Sequence, residues 1–220
     1  MGNKVKENLL QVQEEIAPCK PRIIAVTKYF GREGIIDAYD AGLRDFGESR
    51  AVEACDKINS LSEEIKSNST FHFIGHLQTN KVKYVVKVFD YIHSVDSYKL
   101  AKVISEHSIE VGKRQKILLQ VNNANEEQKF GFSKDEVFES YEQIKALYGV
   151  EVVGLMNMAP IAATENDLHR LFSEVVFIRD ELQNRFDCKL KELSMGMSQD
   201  YKIAAQEGAT MLRIGRKLFN

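Results

Sequence analysis

Tryptophan is absent from the 220-residue chain, and cysteine and proline are scarce at three each. Cys19, Cys55 and Cys188 are far apart, odd in number and never paired as C-x-x-C, so neither a disulfide framework nor a zinc site is expected. No apolar run approaches the roughly 20 residues that cross a bilayer, which excludes a membrane partner. The N-terminal stretch MGNKVKENLLQVQEEI is charged throughout and has no apolar signal-peptide core. Lys6 stands where a myristoylation motif requires Ser or Thr. Free thiols without an export signal point to a reducing cytoplasm. Basic blocks are missing too: 30 Lys and Arg face 32 Asp and Glu, scattered along the chain, so nucleic acid is excluded as a main partner. The zinc-protease H-E-x-x-H, the phosphate-binding G-x-x-x-x-G-K-[ST], the hydrolase G-x-S-x-G and the dinucleotide G-x-G-x-x-G are all absent.

What is present is a repeated alternation of short apolar runs and longer amphipathic ones. Val5, Leu9, Val12 and Ile16 recur at helical spacing and predict a helix over 3–17, stopped by Pro18 and Pro21. Strands are expected at 23–28, 44–48, 71–75, 91–95, 116–121, 150–156, 192–196 and 210–215. Helices are expected between them, at 32–41, 49–65, 78–88, 97–111, 133–148, 164–186 and 199–207. Ser133 and Ser198 read as N-caps, and Gly42 and Gly208 as stops. Eight strands separated by helices predict an α/β fold, a single TIM (β/α)8-type barrel with an extra N-terminal helix, as one domain over 1–220. No helix is expected after the eighth strand, and the helix at 3–17 is expected to cover the gap there.

In such a barrel the functional groups sit at the C-terminal strand ends. Lys28 ends the first strand, on the same side as Ile24 and Val26. It is either a solvated lysine or an amine in the barrel mouth, where partial burial favours the neutral nucleophile that condenses with aldehydes. The last strand ends in Arg213-Ile214-Gly215-Arg216, and the seventh in Ser194-Met195-Gly196-Met197-Ser198. Together these read as a phosphate cradle, with Ser198 and Gln199 opening a helix whose free N–H groups favour anions; separately each is also ordinary turn chemistry. Lys129, in the loop after the fifth strand, is a solvated lysine or a second amine. His72 and His76 lie four apart on a strand and its turn, where packing or a polar contact is expected rather than a metal. His93, His107 and His169 have no evident partners.

The strings AVTK (25–28), FGESR (46–50), FHFIGHLQTNK (71–81), VNNANEEQKFG (121–131), GLMNMAP (154–160), LSMGMSQD (193–200) and GATMLRIG (208–215) go further than generic barrel chemistry. In this order they resemble the pyridoxal phosphate homeostasis protein family, whose fold is similar to the N-terminal barrel of alanine racemase. The resemblance implies a protein that binds pyridoxal 5′-phosphate (PLP) as a Schiff base on Lys28 and serves vitamin B6 homeostasis. It implies that Ser194 contacts the phosphate, that the backbone amides of Gly215 and Arg216 meet it, and that Arg213 faces the pyridine nitrogen. Two positions depart from the family pattern: Ser49 replaces an Asn, and Arg216 replaces a Thr or Ser. An arginine at the ring nitrogen disfavours its protonation and weakens the ring as an electron sink. The expectation is therefore a monomeric carrier without catalytic residues, which passes PLP to PLP-dependent apoenzymes. A PLP-dependent amino-acid racemase-like enzyme is the alternative, and a Schiff-base aldolase the third reading.

Overall fold

The computed structural model describes residues 2–124 and 130–220. Lys129 lies outside the described residues. The chain opens with α1 (Gly2–Glu15), followed by β1 (Arg22–Val26), α2 (Arg32–Asp40), β2 (Asp45–Glu48), α3 (Ala51–Asn59) and α4 (Glu63–Ser67). It continues through β3 (Thr70–Phe73), α5 (Val82–Val88), β4 (Tyr91–Val95), α6 (Tyr98–Glu110) and β5 (Gln115–Val121). The last third comprises α7 (Lys134–Ile144), β6 (Val150–Asn157), α8 (Glu165–Phe186), β7 (Glu192–Ser194), α9 (Tyr201–Gln206), β8 (Met211–Ile214) and α10 (Arg216–Phe219). The strands close into a parallel barrel in sequence order, with β1 pairing both β2 and β8. The expected TIM-type barrel is therefore the fold. Among the described residues, no helix is long and apolar enough to cross a membrane.

Strand alternation sorts the side chains into two apolar layers. Ile23, Phe46, Phe73, Ile92 and Ile117 pack outward against the helices. Ile24, Tyr91, Leu118, Met156 and Met211 form a smaller cluster inside the barrel. Burying each of these large side chains stabilises the fold by about 1.5–3 kcal/mol before chain entropy is counted. The phenylalanines that flank His72 point outward, so the histidine must point in; the same holds for His93 beside Ile92.

Three local expectations are corrected. The helix expected over 49–65 is split, because Ser60 donates to the carbonyl of Lys57 and the Ser62 hydroxyl accepts from the Ile65 amide, ending one helix and capping the next. The helix expected at 199–207 starts at Tyr201 with Asp200 as its N-cap, and Ser198 bonds elsewhere. A short helix, α10, does follow β8: its Leu218 is buried, Phe219 packs on Phe30 in a tilted pair with ring centroids 4.5 Å apart, and Asn8 of α1 donates to backbone oxygens of Leu218 and Asn220. Helix α1 covers that end of the barrel as expected. Ser133 caps α7 with a reciprocal bond from Glu136.

Glu15 at the end of α1 ties this cover down. Its carboxylate accepts from the Tyr201 hydroxyl and faces Lys202 at 3.2 Å and Lys217 at 3.5 Å. The tyrosine bond, aided by the two lysines, pulls the Glu15 pKa down to about 2. The folded value lies below the unfolded one, so this contribution is present above about pH 4.5 and is lost as pH falls towards 2. Chemical denaturation at stepped pH should therefore show a steeper loss of stability below pH 4.5 in the wild type than in Glu15→Gln; identical profiles would remove Glu15 from the account.

Candidate functional site

The C-terminal strand ends of β1, β7 and β8 are neighbours, and they carry the residues singled out from sequence. Lys28 lies two residues beyond Val26, is half-buried, and has its Nζ 5.1 Å from the centre of the Tyr29 ring. Among the described residues no hydrogen-bond acceptor engages that amine. The turn that carries it is fixed from behind. Lys57 of α3 donates to the carbonyls of Thr27 at 3.0 Å and Phe30 at 2.8 Å, and pairs with Glu48 at 2.5 Å. Glu48 in turn accepts from the Thr27 hydroxyl at 2.6 Å. Thr27 and Glu48 are buried, so this is an ion pair held inside the protein.

Gly215 follows β8 directly, and a Cβ there would touch Val26 at 3.4 Å, which places the two strand ends in contact. The backbone N–H groups of Gly215 and Lys217 both donate to the Ser198 hydroxyl oxygen at 3.3 Å. Backbone donors from the first turn of α10 thus converge on one oxygen, the geometry of an anion cradle. Arg216 lies between them with its side chain exposed, so its departure from the family pattern adds a cation beside the cradle. Gly196, at φ +90°, makes the turn that allows this: a Cβ there would meet Ala204 at 2.5 Å, and its carbonyl accepts from the Arg213 amide.

Arg213 is buried. Its Nη1 donates to the carbonyl of Ser194 at 2.6 Å and to its hydroxyl at 2.7 Å, and its Nη2 donates to the carbonyl of Asn157 at 2.8 Å. These bonds use three of its five N–H groups, leaving two without a protein acceptor among the described residues. Burial pulls its pKa down to about 10, with Asp200 pulling the other way, so the group stays cationic at neutral pH. The Asn157 side-chain oxygen beside it is also buried without a partner.

Ser194, which the resemblance puts at the phosphate, ends β7 with its side chain turned into the barrel. It is fully buried and bonded to Arg213 and to His93 at 2.8 Å, so Ser198 is the serine that stands at the mouth. Asp200 is the N-cap residue of α9, and its Oδ1 accepts from the Met197 amide in the turn before the helix. Ser49 lies at the edge, in a cleft with Arg50, His76 and Lys81. His76 stacks on Phe130 at 3.8 Å and faces Asp96, while His72 bonds Asp45 and His93. A separate cleft of about 510 Å³ lies at the other face of the barrel beneath α1, lined mainly by apolar groups such as Leu9, Ile16, Pro18 and Leu43. Chemically, the mouth offers a primary amine, backbone amide donors and a buried cation with spare N–H groups.

Sequence reasoning missed the Lys57–Glu48 brace and the partners of His72 and His93. A signal for the first existed: Lys57 falls on the buried face of its helix with Ala54 and Ile58. Replacing Lys57 by Met would leave the buried Glu48 charge without its counter-ion and the Phe30 carbonyl without its donor, while Glu48 keeps the Thr27 hydroxyl and the Thr27 carbonyl keeps the Phe30 amide. Breaking such a pair from one side costs about 3–5 kcal/mol. Urea denaturation of Lys57→Met should show a loss of that size, and a loss below 1 kcal/mol would mean the brace is not needed.

The alanine racemase N-terminal domain family model matches residues 2–220. The pyridoxal phosphate homeostasis protein of Synechocystis is 39% identical over 202 residues, covering 92% of either chain. That of Aquifex aeolicus is 37% identical over 198 residues, covering 90% of this chain and 86% of its own. PipY of Synechococcus elongatus, solved with PLP bound, superposes with a TM-score of 0.89 at 35% identity, over 98% of this chain and 100% of that one. Alanine racemase from Clostridium difficile shares the fold alone, at 13% identity and a TM-score of 0.79, with 56% of its length matched.

Proposed function

The chain belongs to the alanine racemase N-terminal domain family, and from that premise we propose that it is a PLP-binding protein of vitamin B6 homeostasis that holds the cofactor on Lys28 without catalytic turnover. The observation that carries this reading is the meeting, at adjacent strand ends, of a half-buried amine, convergent amide donors and a buried guanidinium with unused N–H groups. The unpartnered Asn157 oxygen and the two spare Arg213 donors fit a polar ligand at this place.

When bound, PLP supplies an aldehyde that condenses reversibly with a primary amine and a phosphate that anchors it. Lys28 is the amine, held in position because Lys57 and Glu48 fix the turn on which it stands. The N–H groups of Gly215 and Arg216 receive the phosphate as the resemblance implies, next to the Ser198 hydroxyl on which the Gly215 and Lys217 amides converge; Ser194, given the same role by the resemblance, is bonded to Arg213 and His93. Arg213 donates to the ring nitrogen. Because a guanidinium keeps its proton at neutral pH, it leaves that nitrogen without one and keeps the ring a weak electron sink. Two-base racemisation also needs a second acid/base group on the opposite face. The curated relatives that this chain matches over 86–92% of their length are homeostasis proteins.

Adding PLP should produce a visible absorption band, and borohydride should trap the adduct. Lys28→Ala should lose the trapped adduct while keeping its far-UV circular dichroism; an adduct that persists would move the amine to another lysine. Ser198→Ala should raise the Kd for PLP roughly fivefold, the value of one hydrogen bond at about 1 kcal/mol. Incubated with L- and D-amino acids, the loaded protein should show no stereospecific turnover above free PLP, and such turnover would replace the carrier reading with a racemase.

A further inference from the structure

A line of polar side chains crosses the barrel interior where apolar packing would be expected. Asp45 on β2 is 2.9 Å from His72 Nε2, His72 Nδ1 is 2.9 Å from His93 Nε2, His93 Nδ1 is 2.8 Å from the Ser194 hydroxyl, and that hydroxyl accepts from Arg213 Nη1 at 2.7 Å. His93 and Ser194 sit on β4 and β7, which are not paired, so their bond spans the lumen. Both histidines are fully buried. The line begins at the partly exposed Asp45 and Arg22 and ends on the cation of the proposed site.

The two ends fix the direction of every bond between them. Arg213 only donates, so the Ser194 oxygen accepts and its O–H is free to donate. Asp45 as a carboxylate only accepts, so His72 carries its proton on Nε2. A neutral His72 then accepts at Nδ1, which puts the His93 proton on Nε2. His93 Nδ1 is left as an acceptor for the Ser194 O–H. Every donor and acceptor is used once, with no added proton. The reverse order puts a second proton on His72 and strands the Ser194 hydrogen. Burial lowers the pKa of both histidines: in His72 Asp45 and Asp90 oppose the shift and Arg22 adds to it, and in His93 the neighbouring His72, Arg213 and Arg22 add to it. Tyr91 stacks on His72 with ring centroids 4.8 Å apart.

We propose that Asp45, His72, His93 and Ser194 form one directional hydrogen-bond chain that fixes the Arg213 guanidinium as the ring-nitrogen donor, which makes His72 and His93 positioning residues for the bound cofactor. The part that concerns the cofactor rests on the PLP reading above; the order of protons in the chain does not. The arrangement links the proposed site to the N-terminal face of the barrel through side chains alone.

The test has two arms. In the full-length protein without PLP, labelled with 15N-histidine, long-range 1H–15N spectra should show His72 and His93 both neutral, with the proton on Nε2, and neither titrating between pH 6 and 8. A proton on His93 Nδ1, or a titrating His72, overturns the chain. In the second arm the PLP-loaded wild type should keep one visible band position across that pH range. His93→Phe should shift the band and make it pH-dependent, and His93→Gln, which can still donate and accept, should restore part of the wild-type behaviour. A folded His93→Phe with an unchanged band and pH profile overturns the positioning role. A wild type that forms no PLP band at all refutes the cofactor reading and with it the positioning role, while the histidine spectra still decide the order of protons.

Discussion

A cation buried with no carboxylate in contact among the described residues is the constraint around which this barrel is arranged. Isolating an unpaired guanidinium from water costs several kcal/mol, so the protein must supply compensating dipoles. Arg213 finds them in two backbone carbonyls, those of Ser194 and Asn157, and in the Ser194 hydroxyl. Asp200 acts on it only through space, and Asp200 is itself buried enough for its own pKa to rise. The compensation that reaches the hydroxyl comes from across the lumen, through two neutral histidines. Burial and polarity therefore serve one end: they keep a positive donor stationary at the barrel mouth.

The rest of the proposed site follows from strand adjacency. β8 pairs with β1, so Arg213 and Gly215 come next to the strand that carries Lys28. β7 pairs with β8, so the turn at Gly196 brings Ser198 under the amides of Gly215 and Lys217. The Lys28 turn cannot be stiffened by its own strand, because β1 has ended; Lys57 and Glu48 do this from the neighbouring α3 and β2. Amine, anion cradle and cation thus stand on separate, independently braced elements.

Much of the fold was legible because period-2 apolar runs and period-3.6 stripes alternate without a break, and parallel strands in that order close readily. That Lys28, Arg213 and Gly215 stand at neighbouring strand ends was legible for a related reason: they close short apolar strands that the barrel order pairs. Ser194 and Ser198 could not be told apart in their contacts from sequence, because a strand-end serine and a turn serine four residues later read alike. Only the fold shows that the first is capped by Arg213 and His93 while the second faces the amides. The His72 and His93 pair was illegible as a pair. Each could be placed inside by its outward-facing neighbours, but the line they make depends on which strands lie opposite, and closure of the barrel decides that. The break at Ser60–Ser62 and the α10 turn turned on local hydrogen bonds and packing that periodicity does not encode.

The central claim is that Arg213 stands as a fixed donor at the ring nitrogen of PLP held on Lys28. The most direct measurement is the nuclear magnetic resonance of PLP labelled with 15N at that nitrogen, bound to the protein at pH 7. The account predicts the shift of an unprotonated, hydrogen-bonded pyridine nitrogen, displaced towards the free-acceptor value in Arg213→Met. A pyridinium signal in the wild type, unmoved by that substitution, would contradict it.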